Sequence, residues 1–222
     1  MKTFNQLKKS FKDQKLLQTA LTHRSWVNEH KNQTRSNERL EFLGDAILEY
    51  IVSEKIYAKF PDKEEGYLTA LRARLVNTVS LSEVSLKLKL GEVLLLSKGE
   101  EDTGGRINQS LLANTVEAVI GAIYLDQGLK KCDAFITEQI LDNLDTVSNE
   151  PLKDAKSLFQ EEVQARGHST PKYQVVSESG PDHNKTFTLD VVVDGAVMGQ
   201  GTGKSKSEAA QNAAKDALDR SL

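Results

Sequence analysis

The chain has 222 residues, which is long for one small domain and sufficient for two. Its composition, with 38% hydrophobic and 27% charged residues, is that of an ordinary soluble globular protein. The net charge of −3 excludes binding of a polyanion through bulk charge, so a nucleic-acid partner would require a local basic patch or metal ions.

Three further features limit the class of protein. Residues 1–15 have no apolar core, which argues against a signal peptide, and no apolar run approaches the length of a membrane span. The single Cys132 cannot form an internal disulfide and has no second cysteine for a redox or metal pair. We therefore expect no membrane association and a reducing, cytoplasmic location.

The first 145 residues show the spacing of apolar positions that is typical of successive helices. Turn residues interrupt this spacing at 61–62, at Gly91 and at 99–105. Residues 93–96 are the only strand candidate in this part of the chain. The pattern predicts an all-α domain.

Residues 37–45, NERLEFLGD, combine an apolar and an acidic stripe on one predicted helix. At about 100° per residue, Glu38, Glu41 and Asp45 lie on one side and the leucines on the opposite, buried side. Carboxylates at this spacing repel one another, and a divalent metal ion is the usual compensation. Phe42 lies on the acidic side, where another surface must cover it. A solvated acidic face is the alternative interpretation.

A second group of oxygen ligands lies at Asn114 and Glu117, which share one face of a later predicted helix. Small residues on the same helix would let another helix approach closely, although the spacing does not prove that the two groups meet. Glu65 could add a further carboxylate. Without a His or Cys cluster, the pattern favours magnesium or manganese over zinc, and such ions commonly serve phosphoryl transfer.

The polar residues 146–151 break the helical periodicity and end in proline. They predict a linker at 148–152 between two domains, 1–147 and 153–222. The second domain is predicted to run helix, three strands, helix, with a hairpin turn at Asp194-Gly195: 154–166, 173–177, 186–193, 197–201 and 207–218. The predicted fold class is therefore multidomain, with an all-α domain followed by a small α+β domain.

The segment 199–205, GQGTGKS, is close to a nucleotide-binding phosphate loop. That loop requires glycine at the position of Met198, so we expect no nucleotide cofactor. Lys204 and Lys206 could instead bind the phosphates of another polymer, because helix N-termini attract anions. A simple helix N-cap beside solvated lysines is the alternative.

Two other features of the second domain suit a groove of a polymeric partner. Gln160 and Gln164 lie four residues apart on its first predicted helix and are neutral donors suited to a sugar-lined groove. His183 lies in a polar loop between predicted strands, from which it could reach such a groove. Neither His183 nor His23 is accompanied by a serine or cysteine nucleophile pattern.

Together, these residues resemble bacterial ribonuclease III over nearly the full chain. Residues 37–45 resemble the signature of that family, and residues 20–25 resemble its N-terminal helix. Residues 65–76 and 112–125 resemble two further family blocks. The C-terminal part resembles the double-stranded RNA-binding domain of the family, which has the same α-β-β-β-α order.

The resemblance implies a homodimeric, magnesium-dependent endonuclease, with manganese as a substitute metal. It would hydrolyse both strands of double-stranded RNA to 5′-phosphate and 3′-hydroxyl ends with short 3′ overhangs, in the processing of ribosomal, messenger and transfer RNA. Its RNA-binding domain would read helix shape and 2′-hydroxyls across minor grooves rather than base identity.

By matching position, the resemblance assigns Glu41, Asp45, Asn114 and Glu117 to the metal site, and Asp45 and Glu117 also to catalysis. The family usually has aspartate where this chain has Asn114. An amide offers an oxygen to magnesium without a charge, so we expect a lower metal affinity.

The resemblance also assigns outer and partner-facing positions. Glu38 and Glu65 fall on its outer acids, and Phe42 falls on the aromatic residue that the family inserts into the partner subunit. Its RNA-contacting positions are matched by Gln160, Gln164, His183, Lys204 and Lys206. Ser207 stands where the family commonly has a second basic residue, which should weaken phosphate contacts and their salt dependence.

The sequence leaves three functions open. The leading one is a hydrolytic endonuclease of double-stranded RNA. The second is a double-stranded RNA-binding protein whose cleavage is weakened or lost because Asn114 replaces the aspartate. The third is a helical interaction protein with a merely solvated acidic face, against which the several family blocks argue.

Overall fold

The structure is a computed structural model that describes residues 4–30, 35–150, 152, 154–181 and 184–221. The chain forms two compact units, Met1–Leu152 and Lys153–Leu222. As predicted, the first unit is built from helices, whereas the second combines helices with one sheet. None of the described helices is both long enough and apolar enough to cross a bilayer.

The first unit consists of helices and short connections throughout its described residues. In chain order the helices are α1 (Phe4–Ser10), α2 (Gln14–Ala20), α3 (Arg24–Glu29), α4 (Glu38–Lys59), α5 (Glu65–Val76), α6 (Thr78–Lys87), α7 (Leu90–Val93), α8 (Lys98–Asp102), a 3₁₀ turn (Gly105–Ile107), α9 (Gln109–Gln127), α10 (Leu129–Gln139) and α11 (Leu144–Ser148). The strand candidate at 93–96 is wrong. Leu95 makes only one parallel bridge, with Thr22, because the chain is helical again from Lys98.

Helices α4 and α9 form the centre of the first unit and touch each other through two glycines. A Cβ atom on Gly44 would lie 1.7 Å from the backbone oxygen of Glu117, and one on Gly121 would lie 2.3 Å from the backbone oxygen of Leu40. Hydrogen is therefore the only substituent that fits at either crossing point. This contact places the acidic stripe of α4 beside residues 114–117 of α9.

Backbone contacts fix where these two helices begin. The buried Asn37 precedes α4, and its N–H donates to the backbone oxygen of Thr22 at 2.8 Å, which ties the acidic helix to the end of α2. Asn108 precedes α9, and its side-chain oxygen accepts a hydrogen bond from the N–H of Leu111 at 3.2 Å. This cap satisfies one of the free N–H groups at the start of α9.

The polar segment between the predicted domains is partly helical. Helix α11 covers the first half of the residues that were expected to break the periodicity, because Val147 packs against the core of the first unit. The boundaries at 1–147, 148–152 and 153–222 stay a prediction.

The second unit has the predicted α-β-β-β-α order. Its elements are α12 (Ala155–Ala165), β1 (Lys172–Ser179), β2 (Thr186–Val193), β3 (Ala196–Gly203) and α13 (Lys206–Ser221). The strands form an antiparallel sheet in the order β1-β2-β3. The hairpin turn at Asp194-Gly195 is confirmed, with φ values of 50° and 85° that a type I′ turn requires.

Glycines of β3 bring α13 unusually close to the sheet. A Cβ atom on Gly201 would lie 2.1 Å from the backbone nitrogen of Ala213. Alanines of α13, together with Phe159 and Val163 of α12, form the core of this unit on that face of the sheet. The end of β3 and the start of α13 are thereby fixed relative to each other, which positions the lysines at 204 and 206.

Candidate active site

The two groups of oxygen ligands that the sequence kept separate lie together in the structure. The side chain of Asn114 on α9 donates a hydrogen bond to the carboxylate of Glu41 on α4. The carboxylate of Glu117 on α9 feels the charges of Asp45 and Glu41. Asp45 is exposed, whereas Glu41 and Glu117 are partly buried, so the site opens to solvent on the α4 side.

The carboxyl group of Glu117 binds a proton more tightly than an ordinary glutamate. Its pKa is raised from 4.5 to about 7, first by burial and then by the charges of Asp45, Glu41 and Glu49. Without a compensating cation, this carboxyl is only partly ionised near neutral pH. The electrostatic environment of the site therefore favours binding of a positive charge.

The pKa of Glu41 is also raised. Burial has the largest influence and the charge of Glu38 adds to it, the hydrogen bond from Asn114 lowers the pKa, and the charge of Asp45 raises it again. Three carboxylates and one amide thus share a small region in which their mutual repulsion is only partly relieved.

The donor set fits a hard divalent cation. Every ligand atom that Glu41, Asp45, Asn114 and Glu117 could offer to a cation is an oxygen, and a divalent cation would relieve the repulsion that raises the two pKa values. Among the described residues, no group of three or more His, Cys, Asp or Glu side chains converges closely enough to hold a metal ion. The carboxylates are adjacent, and binding of a cation would require side-chain rotation.

The two predicted outer acids occupy different places. Glu38 lies at the start of α4 and is held by Arg24 at 3.4 Å and by the hydroxyl of Ser36 at 2.7 Å. Its charge acts on Glu41. Glu65 begins α5, accepts a hydrogen bond from Thr69 at 3.1 Å, and is not among the charges that raise the pKa values of Glu41 and Glu117.

Glu49 is a further functional candidate, which continues the acidic stripe of α4 beyond Asp45. It lies one turn after Asp45 on α4, and its charge raises the pKa of Glu117. Arg72 on α5 forms an ion pair with it, with 2.7 Å between Nε and Oε2. The four-residue spacing from Asp45 was the only sequence signal for this residue.

Phe42 is exposed, as its position on the acidic side predicted. Its side chain is 81% exposed, and Tyr50 and Tyr57 are exposed further along α4. A groove of about 500 Å³ lies between α4 and α5, lined by Tyr50, Ile56, Tyr57 and Leu68 together with Glu65. An apolar surface of this kind on one helix commonly marks an interaction site.

The second unit presents the predicted basic residues at the start of α13. The Nζ atom of Lys204 donates to Asn184 at 3.0 Å, and Lys206 forms an ion pair with Glu178 at 3.2 Å. Ser205 also caps α13 by accepting a hydrogen bond from the N–H of Glu208, so the N-cap interpretation holds beside the basic residues. The prediction for His183 falls outside the described residues.

Gln160 and Gln164 are both exposed on α12. The amide of Gln164 is 3.4 Å from the hydroxyl of Thr170. Gly167, with a φ of 80°, ends the helix, because its N–H donates to the backbone oxygen of Gln164 and the N–H of His168 donates to the backbone oxygen of Val163.

Each of the two units matches its own family model. Residues 13–144 match the family model described as Ribonuclease-III-like, and residues 155–220 match the double-stranded RNA binding motif. The chain belongs to the ribonuclease III family. It is an endoribonuclease, and the motif in its second unit binds double-stranded RNA.

Curated relatives of the ribonuclease III family match over most of their length. Ribonuclease 3 of Natranaerobius thermophilus is 49% identical over 94% of this chain and 90% of its own. Ribonuclease 3 of Bacillus licheniformis is 47% identical over 94% of this chain and 84% of its own. The similarity therefore includes both units and the segment between them.

Solved structures of the ribonuclease III nuclease domain from Campylobacter jejuni resemble the first unit. One is 41% identical, with a TM-score of 0.57 over 62% of this chain and 95% of that chain, and is described as flexible in a region involved in dimer formation. Another is 40% identical, with the same TM-score over 64% of this chain and 97% of that chain. The helical fold of the first unit is thus the fold of the family.

Proposed function

We propose that the chain is a magnesium-dependent endonuclease that hydrolyses both strands of double-stranded RNA to 5′-phosphate and 3′-hydroxyl ends with short 3′ overhangs. Manganese would substitute for magnesium, and the substrates would be precursors of ribosomal, messenger and transfer RNA in the cytoplasm. The observation that carries the proposal is the contact of α4 and α9 at Gly44 and Gly121, which brings Glu41, Asp45 and Glu117 together.

Glu41, Asp45, Asn114 and Glu117 would hold the cation. When bound, a divalent cation activates water as a nucleophile and stabilises the leaving 3′-oxygen. Hydrolysis would form a bond from the water oxygen to phosphorus and break the P–O3′ bond. One proton of the water would pass to the 3′-oxygen, and the other would remain with the new 5′-phosphate, from which solvent can take it. The partly buried Glu117 would give up its proton in order to hold the cation, and the exposed Asp45 leaves the site open to solvent.

The second unit would hold the substrate. Lys204 and Lys206 supply a local positive charge at the start of α13, where the helix dipole also favours phosphate. Lys206 would exchange its exposed ion pair with Glu178 for a phosphate, which costs little because surface ion pairs contribute about 0–1 kcal/mol. Gln160, Gln164 and His183 would contact the minor grooves, which suits recognition of helix shape.

A second candidate function is binding of double-stranded RNA with weakened or lost cleavage. The observation that favours it is Asn114, whose amide adds no negative charge to the cluster and is hydrogen-bonded to Glu41. The two candidates differ in the cleavage step alone, so one substitution separates them.

We expect Asn114→Asp to increase both metal affinity and cleavage, because a fourth carboxylate strengthens the attraction for a divalent cation. The expected change is on the order of tenfold in the magnesium concentration needed for half-maximal cleavage of long double-stranded RNA. Asn143→Asp adds the same charge to an exposed site of the first unit and should behave like the wild type. Binding of RNA without cleavage by the wild type, in magnesium and in manganese, would establish the second candidate instead.

We also propose a homodimer in which two copies of α4 pack antiparallel across a two-fold axis. Phe42 and Tyr57 lie fifteen residues apart on α4, roughly 22 Å along its axis. A two-fold axis near Tyr50 would place Phe42 of each copy in the groove between α4 and α5 of the other, since such contacts are reciprocal. The same packing would bring Glu65 of a second copy, which lines that groove, toward the Glu38 end of α4.

Phe42→Ala is expected to shift the protein from dimer toward monomer. Burial of a phenylalanine contributes roughly 1.5–3 kcal/mol, so loss from both copies should raise the dimer Kd by a factor of about 100 or more. Sedimentation equilibrium over a range of concentrations measures this change. Ile107→Ala is the matched control, because Ile107 is also a large apolar residue and is 75% exposed. Equal subunit numbers for Phe42→Ala and the wild type would exclude Phe42 as an anchor.

A further inference from the structure

The ion pair of Glu49 and Arg72 joins the acidic face of α4 to α5. The Nε atom of Arg72 lies 2.7 Å from Oε2 of Glu49, and both side chains are a little more than one third exposed. Arg72 is preceded on α5 by the fully buried Leu71, so its backbone is anchored in the core. The guanidinium group therefore approaches Glu49 from a fixed position.

A third residue fixes the orientation of this pair. Nη1 of Arg72 donates to the hydroxyl of Ser53 at 2.9 Å, and that hydroxyl donates to the backbone oxygen of Glu49 at 2.6 Å. The planar guanidinium group is thus held at two points on α4, one turn apart. A fork of this kind restricts the rotamers of Glu49 more than a single contact would.

Glu49 faces the candidate metal site without belonging to its ligand set. It continues the stripe formed by Glu41 and Asp45, and its charge acts on Glu117 across the contact of α4 and α9. Magnesium usually keeps several of its water molecules when it binds to carboxylates, and these waters donate hydrogen bonds to acceptors around the ligands. Glu49 has the chemistry and the location for such an acceptor.

We propose that Arg72 is a positioning residue that fixes the Glu49 carboxylate as an outer acceptor for cation-bound water beside Glu117. The proposal rests on the metal site of the proposed function. Its consequence is that cation affinity depends on a pair of residues that do not touch the cation. Loss of either member should weaken cation binding, since outer hydrogen-bond partners typically contribute a factor of about 10–100 to metal affinity.

The test is a titration of the full-length protein with Mn²⁺ in the absence of RNA, in which electron paramagnetic resonance measures the free and bound Mn²⁺. We expect Glu49→Gln and Arg72→Gln each to raise the Mn²⁺ dissociation constant on the order of tenfold. The Mn²⁺ dissociation constant of the double variant should be no higher than that of the weaker-binding single variant, because both changes remove the same oriented carboxylate. Melting temperatures of all variants are measured alongside.

The ion pair of Lys55 and Asp133 provides a matched control. It also links α4 to a neighbouring helix, with 2.9 Å between the charged atoms and similar exposure of both side chains. Lys55→Gln should lower the melting temperature about as much as Arg72→Gln and leave Mn²⁺ affinity unchanged. A purely structural role of Arg72 predicts instead that the two variants behave alike in both measurements.

The possible failures are distinguishable. Absence of Mn²⁺ binding by the wild type overturns the metal site of the proposed function. Binding by the wild type with unchanged affinity of Glu49→Gln overturns the outer role of Glu49. Weakened binding by Glu49→Gln with unchanged affinity of Arg72→Gln overturns the positioning role of Arg72.

Discussion

Glu117→Gln is expected to abolish cleavage of double-stranded RNA while making the metal-free protein more stable at neutral pH. The pKa of Glu117 rises from 4.5 to about 7 in the folded protein, with burial as the main cause and the charges of Asp45, Glu41 and Glu49 as further causes. Ionising this carboxyl in the folded state is therefore unfavourable. A neutral amide of the same shape removes that penalty but cannot supply the charge that a cation requires.

The sign of the pH dependence follows from the proton that the folded state retains. Between about pH 4.5 and pH 7 the folded state binds more protons at Glu117 than the unfolded state, so this group makes stability fall as pH rises through that window. This loss of stability reaches its full value above about pH 7. We expect it to be about 1–2 kcal/mol, after allowing for solvent screening of a partly exposed carboxyl.

Thermal unfolding without metal measures this effect. The wild type and Glu117→Gln should melt alike near pH 5, and the variant should melt higher near pH 8. Excess magnesium should stabilise the wild type and have little effect on the variant. Cleavage by the variant should fall by a factor of about 100–1,000 or more, as for loss of other electrostatic groups in active sites.

Glu83→Gln is the control for this experiment, because Glu83 is exposed on α6 and outside the acidic cluster. It should leave both the pH dependence and cleavage as in the wild type. A metal-free Glu117→Gln protein that melts below the wild type at pH 8 would contradict the electrostatic account of this site.

Gly44→Ala has the largest expected effect on stability. The new methyl group would lie 1.7 Å from the backbone oxygen of Glu117, which cannot move without displacing α9. Forced separation of two packed helices should cost about 3 kcal/mol or more, since overpacking alone typically costs 1–3 kcal/mol. The same displacement would move Glu117 away from Asp45, so cleavage should be lost even in molecules that remain folded.

Urea unfolding monitored by the fluorescence of Trp26 measures this prediction. Trp26 is the single tryptophan of the chain and lies on α3, so its signal reports on the first unit alone. Gly66→Ala is the matched control, because nothing lies within 4 Å of the added methyl group on α5. That control should be neutral or stabilising, as alanine is the better helix former by roughly 0.5–1 kcal/mol. Similar midpoints for Gly44→Ala and the wild type would refute the close approach of α4 and α9.

Several features of this protein follow from its sequence alone. The periodicity of apolar residues predicted the helices of the first unit, and alternation with turn residues predicted the three strands and the turn at Asp194-Gly195. The acidic stripe of α4 and the exposure of Phe42 followed from helical geometry. These features depend on residues within a few positions of one another, which is the range over which backbone periodicity acts.

Tertiary structure decided which of these features meet. Asn114 and Glu117 reach the acidic stripe only because glycines at two distant positions let α4 and α9 touch, and no local pattern links those positions. The helical conformation of the first half of the polar segment 146–151 likewise depends on packing of Val147 against the core. Glu65 lies on another helix, α5, where it accepts a hydrogen bond from Thr69. Arg72, also on α5, forms its ion pair with Glu49 of α4. Spacing along one helix determines the direction in which each side chain points. A site also requires several helices to pack so that their side chains meet.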